Sequence, residues 1–309
     1  MMAYMRWGME GDFIPFFNER KGQEMNQQKK SLLSVHMAVV GFGLAGLFAK
    51  IVNQPAIVIA WGRVVFSVIF LFILFKARKQ SVKLNCRRDY LLLAAAGALL
   101  AVHWTTFLQS IQISTVAVGT LTFSTYPLFV TFLEPYIYHE RLKRANVVCA
   151  LVMLIGVILI VPEFHLENSM TQGVIWGMVG SLTYAVLSLM NRSFSDRYTG
   201  TLVAFYEQGV AAIVLLPAVL ILHPAFTGRD IVGLVILGVA FTAGAHSLFI
   251  EGLKHVKVQT AGIISGLESV YGILAALVVL GEVPGFREII GGLVIMGVVF
   301  YSTLASAKG

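Results

Sequence analysis

Residues 125–142 read TYPLFVTFLEPYIYHERL, and residues 268–285 read ESVYGILAALVVLGEVPG. Both are long apolar stretches that nonetheless carry acid: Glu134 and Glu140 in the first, Glu268 and Glu282 in the second. Pro127 precedes Glu140 by 13 positions, and Ser269 precedes Glu282 by 13. An offset of 142 sets Tyr126 on Glu268, Phe107 on Phe249 and Gln109 on Glu251, and brings His103 within one position of His246. A similar run follows each block, ANVVCALVMLIGVILI at 145–160 and REIIGGLVIMGVVFY at 287–301. The chain therefore contains one unit twice.

Composition decides the solvent of that unit. Of 309 residues, 57% are hydrophobic and 13% charged, and mean hydropathy is +0.80. A soluble domain carries about 25% charged residues. This chain has too few polar groups to cover its own surface, so lipid must solvate much of it. Ten segments are apolar over about 20 residues, the length that crosses a bilayer as helix. They are 33–52, 56–76, 90–110, 116–137, 145–162, 173–193, 201–222, 230–250, 259–280 and 287–305. The sequence lacks the short alternating segments of a transmembrane barrel. The expected fold is all-α, a membrane protein of ten transmembrane helices. Residues 1–31 have no apolar core or small-residue cleavage site of a signal peptide and read as a cytoplasmic N-terminal tail. Met25, at the head of MNQQKKSLLSVHMAVV, reads as an ordinary start.

Basic residues orient the spans. With the N-terminus inside, the segments of the outer side and the spans hold four of the 23, namely Lys50, Arg63, Arg229 and Arg287, and 23 − 4 = 19 lie on the inner side. This bias predicts both termini in the cytoplasm of a multi-pass protein of the inner (plasma) membrane. It also accounts for the net charge of +7 without nucleic acid. Five spans per unit is odd, so the second unit enters the membrane the other way up. The result is two inverted five-helix repeats, 32–163 and 172–306, an arrangement common among secondary transporters.

The P-x12-E block of the fourth span, the LGE of 280–282 and the HERL of 139–142 resemble the EamA repeat of the drug/metabolite transporter superfamily. The resemblance covers about residues 33–305. It implies a secondary transporter, an exporter of small organic metabolites such as amino acids, working by alternating access. A multidrug exporter of the same superfamily is the near alternative. A multispan enzyme acting on lipid-linked substrates is the distant one; its loops would be too short for a catalytic set, and HExxH, paired aspartates and GxSxG are missing. Ser269 stands where the family usually has proline, which puts a kink in the ninth span in doubt.

Polar residues at membrane depth are the candidate site. A charge near the bilayer centre costs about 2.5–3.5 kcal/mol on insertion scales, so one kept there faces a cavity or a partner. Arg63 in the second span is expected to fork onto a substrate carboxylate. Glu207 and Glu268 are expected to carry protons, the proposed coupling ion. A fixed ion pair between Arg63 and one glutamate is the structural alternative. His103 and His246, in equivalent spans, together with Trp104, Tyr126 and Tyr271, complete the expected substrate-binding set; Trp61 reads as part of an interfacial belt. Glu134 is read as reaching the interface, and Glu140 and Glu282 as interfacial, paired with Arg141 or Arg287 or with backbone donors. Pro127 opens a helix, and its freed carbonyl must face protein or a cavity. Cys86 and Cys149 have no disulfide or metal spacing. GFGLAG at 41–46 reads as close helix packing, not a dinucleotide loop, and no Walker motif occurs. No cofactor or metal is expected, the partners being a small-molecule substrate and the lipid bilayer.

Overall fold

A computed structural model of the chain describes residues 13–138, 144–161, 165–194, 197–253 and 258–307. The first half is α1 (Phe13–Ala45), α2 (Phe48–Ile51), α3 (Ala56–Ala77), α4 (Arg87–Ile113), α5 (Val116–Phe123), α6 (Tyr126–Tyr138) and α7 (Arg144–Ile160). The second half is α8 (Ser169–Arg192), α9 (Gly200–Leu222), α10 (Gly228–Ile236), a π-helical segment (Leu237–Gly244), α11 (Ala245–Leu253), α12 (Val258–Leu280) and α13 (Phe286–Ala307). Every described element is helical, as a lipid-solvated backbone requires when it must satisfy its own N–H and C=O groups.

Among the described residues, seven helical stretches are long and apolar enough to cross a membrane. Val147–Ile160 and Ile264–Leu280 are apolar but shorter. The described parts of the ten segments expected from hydropathy are thus mostly helical, and seven of the helical stretches have the length and apolarity of a crossing. The expected tail is helical over its described part. Residues 13–31 belong to α1. Their Glu, Arg, Lys, Gln and Met favour helix, and Pro15 sits in the first turn, where a missing N–H costs nothing.

Helix ends follow local chemistry. Asn168 accepts from Met170 N at 2.9 Å to cap α8, and Thr115 accepts from Val118 N at 3.0 Å to cap α5. Thr227 and Asp230 form a reciprocal capping box on α10, which satisfies two end donors at once. Gly281, at φ +69°, ends α12 in the left-handed conformation that glycine adopts without strain.

Helices 142 positions apart correspond: α1 with α8, α3 with α9, α4 with α10–α11, α5–α6 with α12, and α7 with α13. Packing obeys the same pairing. The contact of α1 with α12 is matched by those of α8 with α5 and α6. The contact of α4 with α8 is matched by that of α11 with α1, and α4 with α9 by the π segment with α3. The pairs α3–α9 and α7–α13 are their own counterparts. Most of the closest packing therefore runs between the halves, not within them.

Small residues make these approaches possible. A Cβ on Gly43 of α1 would lie 2.8 Å from Glu268 O and 2.9 Å from Tyr271 Cβ, with α12 backbone in the way. Gly43→Ala is expected to cost about 1–3 kcal/mol by overpacking, read as a lowered Tm in detergent. An unchanged Tm would show that α1 and α12 do not touch there.

The break between α5 and α6 is built around Pro127. Proline in the first turn of α6 has no N–H for Phe123 O. Ser181 Oγ of α8 donates to that carbonyl at 3.2 Å instead. Thr125 Oγ1 donates to Thr122 O at 2.6 Å. The freed carbonyl thus faces protein. Its repeat counterpart α12 is unbroken: Ser269 replaces the kink, donating to Thr120 O at 2.9 Å and meeting Ser124 Oγ at 2.6 Å.

Candidate functional site

A small cavity lies where α1, α5, α6, α8, α11, α12 and α13 meet. Its walls come in pairs. Phe42 and Tyr184, Phe123 and Ser265, Ser124 and Gly266, and Tyr126 and Glu268 all line it, and each pair is 142 positions apart. Phe249 and Val299 complete the lining. Equivalent positions of the two halves therefore converge on one space.

The aromatic wall is continuous. The Tyr126 and Tyr184 rings lie 5.0 Å apart, edge to face, and Phe123 lies 5.1 Å from Tyr184 and 5.7 Å from Tyr126. His103 continues it from α4, with its ring 5.0 Å from Tyr184 and 5.3 Å from Phe123. His103 Nδ1 pairs with Gly180 O at 2.9 Å, which fixes the ring. On the other side, Phe42 touches His246 at 6.0 Å and Phe249 at 5.7 Å. Among the described residues the hydroxyls of Tyr126 and Tyr184 and the carboxylate of Glu268 make no hydrogen bond or ion pair. All three side chains are half-buried. All three belong to the cavity lining.

Arg63 is 4% exposed. Its Nε donates to Thr242 Oγ1 at 3.1 Å, and its guanidinium carbon lies 4.0 Å from the Trp104 ring centroid. Thr242 belongs to the π segment and donates to Leu237 O, five residues back, at 2.8 Å. Gly238 lets that segment press on α3: a Cβ there would stand 2.7 Å from Arg63 O. Turns of this kind recur at functional sites. The two Nη groups have no hydrogen-bond or ion-pair partner among the described residues. Arg63 and Glu268 act on each other electrostatically without forming an ion pair. The fixed pair entertained from sequence is therefore not formed; Thr242 and Trp104 hold the guanidinium in its place. The charge of Arg63 also reaches His103 and His246.

Glu207 of α9 is fully buried, and neither carboxylate oxygen has a hydrogen-bond partner. The Asn191 side-chain amide of α8 is the donor that lies near that carboxylate, short of a well-formed hydrogen bond, and Asn191 Oδ1 is unpartnered as well. Gly97 of α4 packs against the Glu207 backbone, where a Cβ would lie 2.5 Å from Glu207 O. The neighbouring Gln208 accepts from Ser67 of α3. Tyr271, on α12, packs against Gly43 and stands outside the cavity lining. The Glu134 side chain and Glu140 lie outside the described residues.

The two ends of the bundle are tied differently. At one end, Lys50 Nζ donates to Ser114 O at 2.7 Å and lies 3.8 Å from Glu282. Glu282 accepts from Val116 N at 2.9 Å, at the start of α5, and Glu288 accepts from Thr115 Oγ1 at 2.8 Å. The sequence placed Glu282 with Arg287 or backbone donors; it takes the backbone donor and Lys50, because Arg287 Nη1 turns to Val161 O at 3.2 Å. At the other end Asp89 accepts from Arg197 at 2.7 Å and from Tyr198 at 2.5 Å. That carboxylate holds the Tyr198 phenol above its ordinary range.

Of the residues expected from sequence, Tyr126 and Glu268 line the cavity, His103 and His246 pack against its lining rings, and Arg63, Trp104, Glu207 and Tyr271 stand outside the lining; Phe42, Phe123, Tyr184 and Phe249, which line it, were not among those expected. The offset that paired Tyr126 with Glu268 also pairs Phe42 with Tyr184, so the signal was present.

A family model described as the EamA-like transporter family matches residues 29–161 and again 171–304. Its two matches start 142 positions apart, the offset of the cavity pairs. An uncharacterized transporter, YxxF, of Bacillus subtilis is 24% identical over 86% of this chain and 86% of its own. An uncharacterized transporter of Archaeoglobus fulgidus is 28% identical over 62% of this chain and 68% of its own. The S-adenosylmethionine uptake transporter of Rickettsia felis is 22% identical over 78% of this chain and 80% of its own. A solved crystal structure superposes with TM-score 0.64 at 17% identity, covering 91% of this chain and 98% of the other.

Proposed function

We propose, for a chain that belongs to the EamA-like transporter family, that it is a secondary exporter of small organic metabolites, amino acids or their close derivatives. In this reading ten spans form two inverted repeats, 32–163 and 172–306, in the plasma membrane, with both termini cytoplasmic. The substrate lies in the cavity between the repeats, and the repeats rock to expose it to each side in turn. The observation that carries this is the pairing of the cavity walls. Four equivalent pairs from the two halves surround one space, which is what a site shared by duplicated halves requires.

Arg63 takes the substrate carboxylate with its unpartnered Nη groups, anchored by Thr242 and Trp104. The Rickettsia relatives, named for an amino-acid derivative, support such a substrate. Their names say uptake, which favours a second reading of the direction. Glu207 carries the coupling proton.

Counterflow in proteoliposomes tests the substrate class, with labelled amino acids and S-adenosylmethionine in the panel. Saturable exchange of at least one carboxylate-bearing solute is expected; exchange of none of them overturns the reading. The conformation is testable separately. With the Lys50 end taken as the outer one, the Lys50–Glu282 tie would close the outside of the cavity. With Cys86 and Cys149 replaced, Ser265→Cys is expected to react with an impermeant maleimide in inside-out vesicles, and weakly in right-side-out ones. Adding Lys50→Ala and Glu282→Ala raises outside labelling. Equal labelling from both sides in the parent protein would rule out a one-sided cavity.

A further inference from the structure

We propose that the cavity around Glu268 is an organic-cation cage: it takes a substituted ammonium or sulfonium group, not a second neutral or anionic moiety. The inference rests on the transport reading above and narrows its substrate to solutes that carry such a cation.

Three features point to it. First, the offset that sets aromatic on aromatic at Phe42 and Tyr184 sets Tyr126 on Glu268. One carboxylate therefore stands in a wall otherwise built of rings and small residues. Second, Glu268 has no hydrogen bond or ion pair among the described residues, and Arg63 acts on it only from a distance, so no protein group occupies its oxygens. Third, the rings around it are the wrong company for an anion and the right company for a cation. Faces of Phe, Tyr and Trp attract a positive group within about 6 Å. Here Phe42, Phe123, Tyr126, Tyr184 and Phe249 line or meet one space with neighbouring centroids between 5.0 and 5.7 Å.

A compact ammonium with three N–H donors seeks acceptors at hydrogen-bond distance. An alkylated cation has no donors, spreads its charge over methyl groups, and is satisfied by π faces and one carboxylate. The described lining offers the second environment. Arg63 does not compete for Glu268 at contact distance, because Thr242 and Trp104 hold its guanidinium elsewhere. The two charges thus stand as separate poles. A solute with a cation at one end and a carboxylate at the other matches both.

The test uses the purified full chain and labelled choline as the probe. Saturable choline binding is expected. 3,3-Dimethylbutan-1-ol, the same shape with carbon in place of nitrogen, should compete roughly tenfold more weakly or worse. Glu268→Gln should weaken choline by roughly tenfold. Tyr184→Phe, which keeps the ring face, should stay within about twofold, and Tyr184→Leu should lose about threefold or more. Absence of saturable choline binding, equal competition by the neutral analogue, or full affinity in Glu268→Gln overturns the proposal. The comparison of choline with its neutral analogue uses the unaltered protein, so it decides even if a variant fails to fold. Amino-acid counterflow without choline binding defeats the cage and leaves the transport reading standing. Choline binding with no solute exchange supports the cage and defeats that reading.

Discussion

Arg63→Ala is expected to cut exchange of carboxylate-bearing solutes by at least about 100-fold in kcat/KM, while the protein still folds. A hydrogen bond to a charged group contributes about 1.5–3 kcal/mol. A guanidinium fork that offers two of them to a carboxylate controls about 3–6 kcal/mol, or roughly two to four powers of ten. The variant also leaves Glu268 without its electrostatic counterpart, which discourages entry of an anion further. Folding tolerates the change because Arg63 makes no ion pair that would be broken. Thr242 keeps its own bond to Leu237 O. Arg63→Lys retains charge but loses the planar fork and the stacking on Trp104, so it should recover a minor part of the loss. Counterflow of a labelled carboxylate-bearing solute measures the effect, with gel filtration reporting the fold. Exchange at the wild-type level in Arg63→Ala removes Arg63 from the site.

The helices and the halves were legible because lipid leaves one solution for the backbone and because duplication leaves an arithmetic trace. The match is close: α12 runs from Val258 to Leu280, the positions 142 beyond Val116 and Tyr138. The π segment was not legible. LGVAFTAG reads as ordinary apolar helix, and the widened turn belongs with a tertiary contact, the approach of Gly238 to the Arg63 carbonyl. The break at Gly46–Leu47, between α1 and α2, carries no proline to announce it. For Glu282 the sequence offered Arg287 or backbone donors; the backbone donor is there in Val116 N–H, while Lys50, which the fold brings from the far half, had no sequence signal. The aromatic walls were passed over for a different reason. A phenylalanine in an apolar run has the composition of core, and its place on a cavity emerges once its repeat counterpart is known to face the same space. Glu207 was found by its charge alone, but its lack of partners depends on how α4, α8 and α9 close over it.

That lack of partners leads to the last expected result: Glu207→Gln loses the stimulation of transport by a pH gradient yet retains counterflow. Glu207 lies fully buried, with neither oxygen hydrogen-bonded and no cation in ion-pair reach among the described residues. An ion buried without a partner costs several kcal/mol or more. Loss of a proton there must therefore accompany a movement that brings water or a donor to the carboxylate. In the proposed rocking of the halves such a movement is available, since α9 meets α3 and α4 of the opposite half and those surfaces would slide. Glutamine has nearly the same volume and no proton to release, so it keeps the packing and disconnects the gradient. Net uptake into proteoliposomes is expected to fall to its rate without a gradient, while exchange of labelled for unlabelled solute, which moves no net proton, stays within about twofold of the wild type. Glu268→Gln should not give this pattern, because Glu268 faces the cavity and its loss acts on substrate in both assays. Full gradient stimulation in Glu207→Gln would remove Glu207 as the proton carrier. A parallel loss of counterflow would instead place it in the substrate path.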